Sequence, residues 1–212
     1  MIKQIQILSS IIILSIIGLN YSCKKQEDVT IDKIDNGEIS FAPMAIGKYW
    51  IYEVNNVDAD GLITFVGIDS TYIEGTKVIG KNTYFEYRSS SSISYKMYLR
   101  DSASYLVDDK GEKFFYHKFD NDTLLNKKTE SSGYVINHTY RVIHLLDEKI
   151  DCVAGSYPAV EAQYTVSFPL LGTEYTSHYY YSAGIGLILR SDAPNLSGDR
   201  KTYSLIRWGG GE

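Results

Sequence analysis

The chain has 212 residues, a formal net charge of −5 and no cluster of basic side chains. An acidic chain of this kind binds poorly to nucleic acid or to an anionic membrane surface, so we expect no nucleic-acid partner. Tyrosine is the compositional outlier, with 19 residues against four prolines and three methionines. Because tyrosine, threonine, isoleucine and valine favour pleated, half-buried surfaces, the composition predicts β structure.

The first residues are typical of a secretion signal. Lys3 supplies a positive charge, an apolar run covers residues 5–17, and Ser22 stands directly before Cys23. The run is shorter than the about 20 apolar residues that a membrane-spanning helix needs. The segment resembles the signal peptide of bacterial lipoproteins, which is cut directly before a cysteine that carries the lipid. Asn20 departs from that pattern, in which Leu, Val or Ile usually stands three positions before the cysteine.

The resemblance implies that Cys23 is acylated, with palmitate among its acyl chains, and that lipid holds the protein on a membrane. The alternative is an ordinary secretory signal without lipidation. The string Lys24–Asp28 has two lysines followed by acidic residues. It resembles the surface-export signal of Bacteroidota lipoproteins, which implies an outer-membrane protein at the cell surface. A simple charged tether on the periplasmic face remains the alternative.

Three segments follow from these features. We expect a signal peptide over residues 1–22, a lipidated flexible tether over residues 23–40, and a single domain over residues 41–212. If Cys23 carries lipid, Cys152 has no cysteine left to pair with, since the chain contains two cysteines. The apolar flanks of Cys152 predict a buried, inert thiol and not a nucleophile.

From Phe41 onward, short strand-like runs alternate with turn signals. The group Asp108–Gly111 predicts a hairpin, and residues 121–133 are predicted to form a longer loop with a short helix possible at 121–129. The clearest strand is Pro158–Phe168, where apolar and polar residues alternate strictly, as on a sheet with one buried face. We expect an all-β domain of roughly ten antiparallel strands in a curved sheet, forming a half-barrel, a barrel or a sandwich.

Three segments occur in chain order that resemble motifs of a Bacteroidota lipoprotein family of unknown function. They are Ile46–Tyr52, Val153–Val160 and Tyr179–Ile188. The resemblance implies a fold similar to the curved antiparallel sheet of lipoprotein carriers of the LolA/LolB kind. It carries over no catalytic residue.

The sequence contains no signature of catalysis, metal binding or cofactor binding. Gly184-Ile185-Gly186 lacks the third glycine and the lysine of a nucleotide-binding loop. His138 and His144 would lie about 20 Å apart along a straight strand, too far to share one metal ion. A nucleophile elbow is also absent. We therefore predict a non-catalytic protein without catalytic residues, metal or cofactor.

Aromatic residues are the candidates for ligand binding. Trp50, Tyr52, Tyr179 and Tyr181 could form a surface that stacks on sugar rings or lines an apolar cleft. The alternative is that these rings pack the core and form cross-strand pairs.

Three tripeptides resemble the O-glycosylation motif of Bacteroidota, in which Asp precedes Ser or Thr. The residues in them that could carry a glycan are Ser70, Ser102 and Thr123. The last two are predicted to lie in loops.

Taken together, these features favour a non-catalytic, lipid-anchored outer-membrane lipoprotein that binds a ligand or a partner at the cell surface. The membrane is its first partner, through the N-terminal lipid, and a glycan, an apolar ligand or a protein could be the second. Two alternatives stay open: a periplasm-facing carrier of a lipid or other apolar ligand, and a surface glycan hydrolase.

Overall fold

The computed structural model describes residues 40–90, 96–102, 105–116, 123–131, 134–145 and 148–211. All of them belong to one compact unit, Ile31–Glu212. The predicted signal peptide, Cys23 and nearly all of the predicted tether lie outside these ranges. The described ranges contain strands, turns and bends but no helix, so none of these residues belongs to a helix that could span a membrane. The all-β prediction is confirmed.

Fourteen strands occur in the described ranges, more than the roughly ten expected. Their bounds are β1 (Tyr49–Val57), β2 (Ile63–Ile79), β3 (Asn82–Ser89), β4 (Lys96–Ser102), β5 (Tyr105–Asp108), β6 (Lys113–Tyr116), β7 (Thr123–Ser131), β8 (Tyr134–Leu145), β9 (Ile150–Cys152), β10 (Gly155–Tyr157), β11 (Val160–Phe168), β12 (Thr173–Ser182), β13 (Gly186–Ser191) and β14 (Arg200–Gly209).

Twelve of the strands form one antiparallel sheet in the order β6-β5-β4-β3-β2-β1-β14-β13-β12-β11-β8-β7. The first six strands of the chain form one half as a simple meander, and the later strands form the other. The pairing of β1 with β14 joins the two halves. Strands β9 and β10 form a separate two-stranded hairpin.

The sheet is strongly curled. A flat sheet of twelve strands would be about 50 Å wide, yet Lys127 on edge strand β7 reaches Glu112, which precedes edge strand β6. Their Nζ and Oε1 atoms lie 3.4 Å apart. The two edges therefore approach each other, although no ladder of hydrogen bonds joins β6 to β7 in the described residues. The expected curved sheet is confirmed, as an open sheet and not a closed barrel.

We call the enclosed side of the sheet the inner face. Lys127, which spans the gap to Glu112, lies on this side, and it pairs in the ladder with His138, whose Nδ1 lies 2.7 Å from the hydroxyl of Tyr164 on β11. The cross-strand pairs then assign each further residue to a side, since successive side chains of a strand point to opposite faces.

The hydrophobic core lies around Trp50, at one end of the sheet. The indole is 3% exposed, its Nε1 donates a hydrogen bond of 2.6 Å to the carbonyl of Ile185, and it stacks on Tyr87 at 5.7 Å between ring centroids. Ile188 and Leu205 pack in the same cluster and are fully buried. We call this end of the sheet the core end.

The β9–β10 hairpin packs against β14 beside this core. The Ala154 amide donates a hydrogen bond of 2.7 Å to the carbonyl of Leu205, at a β-bulge that interrupts the pairing of β14 with β1. The ring of Tyr157 meets Trp208 edge to face. Cys152 is half-buried here, and burial is the main cause that raises the pKa of its thiol. The sequence predicted a buried thiol, whereas Cys152 is partly exposed; its raised pKa favours the protonated, less nucleophilic form.

The first described residue also lies at the core end, because the Gly184 amide donates a hydrogen bond of 2.8 Å to the carbonyl of Ser40. At the opposite end, three neighbouring hairpins present their turns: β1–β2, β13–β14 and β11–β12. We call this the hairpin end. Its turns carry exposed leucines, with Leu62, Leu170 and Leu196 exposed by 66%, 71% and 95%.

Candidate ligand-binding face

Half-buried tyrosines line the inner face between the core end and the hairpin end. The pairing register places five of them on this side: Tyr164, Tyr175, Tyr179, Tyr181 and Tyr203. The alternation predicted for β11, continued in β12, produces this row, because every second residue of a strand points the same way. Half-burial leaves part of each side chain accessible to a ligand, and a tyrosine offers both an apolar ring and a polar hydroxyl.

Arg190 lies at the centre of this face. It stands directly opposite Tyr179 on β12 and Tyr203 on β14. Its Cζ atom lies 5.6 Å from the ring centroid of Tyr179 and 4.7 Å from that of Tyr203. Its Nε donates a hydrogen bond of 2.5 Å to Oδ1 of Asp192. Two cation–π contacts and one ion pair therefore hold the guanidinium in place.

The surroundings of Arg190 change from one end of the sheet to the other. Towards the core end the inner face is closed: Leu205 is fully buried, and Tyr52 is buried with its hydroxyl donating to the carbonyl of Leu187 at 3.1 Å. Towards the hairpin end lie polar groups, among them Asp192 and Ser177. Arg190 thus stands where the closed core meets the accessible part of the face.

A buried carboxylate lies near the same place. Asp69 on β2 pairs with Tyr52 in the ladder and accepts hydrogen bonds from the hydroxyls of Ser89 and Ser90, at 3.1 and 3.2 Å. Burial raises the pKa of Tyr203, the Arg190 charge lowers it, and Asp192 and Asp69 raise it further. The charges of Arg190, Asp192 and Asp69 therefore act on one region of the inner face.

His138 continues the polar part of the face. Its Nε2 lies 2.9 Å from Oγ1 of Thr129, and its Nδ1 lies 2.7 Å from the hydroxyl of Tyr164. Burial raises the pKa of Tyr164, the charge of Glu112 raises it too, and Lys127 lowers it. Both ring nitrogens of His138 are thus engaged by hydroxyl groups.

The four aromatic residues predicted as a possible ligand surface lie in two different environments. Trp50 and Tyr52 are each 3% exposed and belong to the core, because their polar atoms are bound by backbone carbonyls. They cannot form part of an exposed ligand surface, and that expectation is corrected. Tyr179 and Tyr181 are half-buried on the inner face. Whether a ligand contacts them stays a prediction.

Arg190 and Tyr203 were not predicted as site residues. They lie on different strands from each other and from Tyr179, and only the register of β12, β13 and β14 brings the three together. The sequence of each strand contains no signal of its cross-strand neighbours.

On the outer face, Glu161 joins two side chains of β12. Its Oε1 lies 2.5 Å from Nδ1 of His178. Burial is the main cause that raises the pKa of Tyr180 to about 12, and the Glu161 carboxylate is the second cause. No group of three or more His, Cys, Asp and Glu side chains in the described ranges is placed to hold a metal ion.

The three residues of the glycosylation-like tripeptides lie in strands. Ser70 is half-buried within β2, where its amide donates to the Ser90 hydroxyl at 3.0 Å. Ser102 is the last residue of β4, and Thr123 is the first of β7, so both are strand ends and not loop residues. Modification of any of the three stays a prediction.

No known protein family and no curated protein matches the chain. Two crystal structures are similar to it. One is a predicted lipoprotein of Parabacteroides distasonis, with 13% identity over 81% of this chain and 99% of that chain and a TM-score of 0.46. The other is a predicted exported protein of Bacteroides fragilis with a YmcC-like fold, with 12% identity over 81% of this chain and 100% of that chain and a TM-score of 0.43. These values are too low to assign a family or a function.

Proposed function

We propose that this protein is a lipid-anchored lipoprotein of the outer membrane, exposed at the cell surface, and that it binds a ligand on its inner face without catalysing a reaction. The row of half-buried tyrosines around Arg190 carries this proposal. Small-molecule sites are concave and largely aromatic, with a few polar groups in fixed positions. The curled sheet, its tyrosines and the Arg190–Asp192 pair supply these three properties.

The polar groups of the inner face support a binding role over a catalytic one. Asp69 accepts hydrogen bonds from two serines, and His138 has both ring nitrogens engaged by hydroxyl groups. A general acid or base needs a proton-transfer position open towards the substrate. These side chains are instead held by neighbouring groups, as expected for residues that orient a ligand.

Surface exposure rests on the string Lys24–Asp28 and is tested by protease treatment of intact cells. We expect an epitope tag placed after Glu212 to be lost from intact cells, while a periplasmic control protein stays whole. If the tag disappears only after the outer membrane is permeabilised, the protein faces the periplasm and surface exposure is wrong.

Ligand binding at the inner face is tested with the variant Tyr179→Ala. The mature protein is titrated with three classes of compound: neutral oligosaccharides, peptides and fatty acids. We expect Tyr179→Ala to weaken the binding of whichever class binds by about tenfold or more, because burying an aromatic side chain contributes about 1.5–3 kcal/mol. Calorimetric titration measures the change.

The matched control is Tyr98→Ala. Tyr98 lies on the outer face, is also half-buried and also has a cation beside its ring, since the Lys77 Nζ lies 4.8 Å from the ring centroid. Equal losses in Tyr98→Ala and Tyr179→Ala would contradict a site on the inner face. Cleavage of the oligosaccharide by the protein would contradict the non-catalytic role.

The periplasm-facing carrier is the second candidate. The exposed leucines of the hairpin end favour it, because Leu170 and Leu196 project from the turns that border the inner face at this end. Exposed apolar groups of this kind mark contacts with apolar ligands, membranes or proteins. Binding of fatty acid alone in the titration above, with no oligosaccharide or peptide bound, would favour the carrier.

A further inference from the structure

Arg190 has hydrogen-bond donors to spare. A guanidinium carries five N–H donors, and the Nε donor is used by Asp192. Among the described residues, none accepts a hydrogen bond from the Nη atoms of Arg190, and 36% of its side chain is exposed. The Tyr179 and Tyr203 rings flank the guanidinium, so these donors have a fixed direction.

Asp192 provides an acceptor beside these donors. Its Oδ1 binds Arg190, whereas its Oδ2 has no partner among the described residues, and 26% of the side chain is exposed. A fixed donor group and a free acceptor therefore stand side by side at the margin of the core. Neighbouring hydroxyls of one molecule fit this arrangement, because each hydroxyl both donates and accepts.

The charges of this region argue against an anionic ligand. Arg190 is neutralised by Asp192, and a second carboxylate, the buried Asp69, lies on the same face, where it pairs with Tyr52 in the ladder. Positive charge is therefore not in excess where the ligand would lie. A carboxylate, sulfate or phosphate group would meet like charge, which disfavours its binding.

A purely apolar ligand fits no better. Covering Arg190 and Asp192 with hydrocarbon would remove water from their free donors and acceptor without replacing its hydrogen bonds, and this is costly. The rings of the two tyrosines, by contrast, can contact the C–H groups of a sugar ring.

We propose that Tyr179, Arg190, Asp192 and Tyr203 form a subsite for a neutral sugar ring, in which Arg190 donates to one hydroxyl and Asp192 accepts from its neighbour. This inference rests on the proposed ligand-binding role of the inner face and names the class of ligand.

The test uses the mature protein and an array of neutral hexose oligosaccharides, with sulfated and sialylated oligosaccharides and a fluorescent fatty acid as further probes. We expect binding to neutral oligosaccharides. Arg190→Gln and Asp192→Asn should each weaken it by about tenfold or more, because hydrogen bonds to charged groups are among the strong ones. The control is Arg88→Gln, since Arg88 is ion-paired with Glu74 and Glu86 on the outer face.

Thermal unfolding of each variant shows whether it is folded. Tyr203→Phe keeps the ring and removes one hydroxyl, and we expect it to weaken neutral-sugar binding by a few-fold even if Arg190→Gln proves unstable. The inference is overturned if no neutral oligosaccharide binds, if charged probes bind more tightly, or if folded Arg190→Gln binds like Arg88→Gln.

The same data separate this inference from the proposed function. If a charged probe or the fatty acid binds and Tyr179→Ala weakens that binding, the inner face is a binding site and only the sugar subsite is wrong. If a probe binds and the Tyr179→Ala variant binds it as tightly as the unchanged protein does, the inner face itself is not the site.

Discussion

Replacing Trp50 with alanine is expected to lower the free energy of unfolding by about 3–5 kcal/mol, as for other large aromatic residues in protein cores. The indole is buried, bonded to the Ile185 carbonyl and stacked on Tyr87, so the change removes packing and a hydrogen bond together. Gly186 lies directly against the same indole, at a positive φ of 104°. Urea denaturation followed by circular dichroism measures the effect, which is large beside a typical total stability of about 5–15 kcal/mol.

Two further variants divide this effect into its parts. Trp50→Phe keeps an aromatic ring and leaves the Ile185 carbonyl without its donor, so we expect a smaller loss of about 1–3 kcal/mol. Trp208→Ala is the matched control, because Trp208 pairs with Trp50 across β1 and β14 but is only half-buried. A loss below about 1 kcal/mol for Trp50→Ala, or a larger loss for Trp208→Ala, would show that the core is not centred on Trp50.

The second large effect concerns the membrane anchor. Replacing Cys23 with alanine is expected to abolish incorporation of radiolabelled palmitate and to release the protein from the membrane fraction. Lipid is the expected anchor because the chain carries a net charge of −5 and an acidic chain gains little from an anionic surface. Metabolic labelling followed by fractionation of the cells measures both results.

Cys152→Ala is the control for labelling, since Cys152 is the other cysteine of the chain. It should keep the label, because its half-buried thiol lies in the β9–β10 hairpin beside the core. Label that persists in Cys23→Ala, or disappears in Cys152→Ala, would contradict lipidation at Cys23.

Strands with clear local signals were predictable from the sequence. The alternating run at Pro158–Phe168 became β11, which begins two residues later at Val160. The Asp108–Gly111 signal became the β5–β6 turn, where Oδ1 of Asp108 accepts hydrogen bonds from the amides of Lys110 and Glu112. In both places the local side chains determine the local structure, by burial in the first and by hydrogen bonding in the second.

One strand and the first part of another were missed because their stability comes from pairing. Residues 121–133 were predicted to form a loop with a short helix, but β7 occupies Thr123–Ser131 and pairs with β8 along its whole length. Strand β2 begins at Ile63, in a segment without the alternating pattern of a half-buried strand. Its first residues show no alternation because apolar side chains there are exposed, including Phe65 and Ile68.

The candidate site was predictable only in part. Tyr179 and Tyr181 could be proposed because aromatic residues stand out in a sequence, but Trp50 and Tyr52 were equally prominent and lie in the core. Burial depends on which segments cover a strand, and the Ile185 turn that covers Trp50 is 135 residues away in the chain. No local pattern reports a contact over that separation.

In the described ranges, strands alone enclose the inner face of the curled sheet. Residues that face inward alternate along β11–β14 with residues that face outward, so the two sets can change independently. Exchanging Tyr179 or Tyr203 alters the enclosed surface while the backbone ladder and the hairpin turns stay the same. A chain built in this way can acquire a new ligand by replacing a few inward residues, at little risk to its folding.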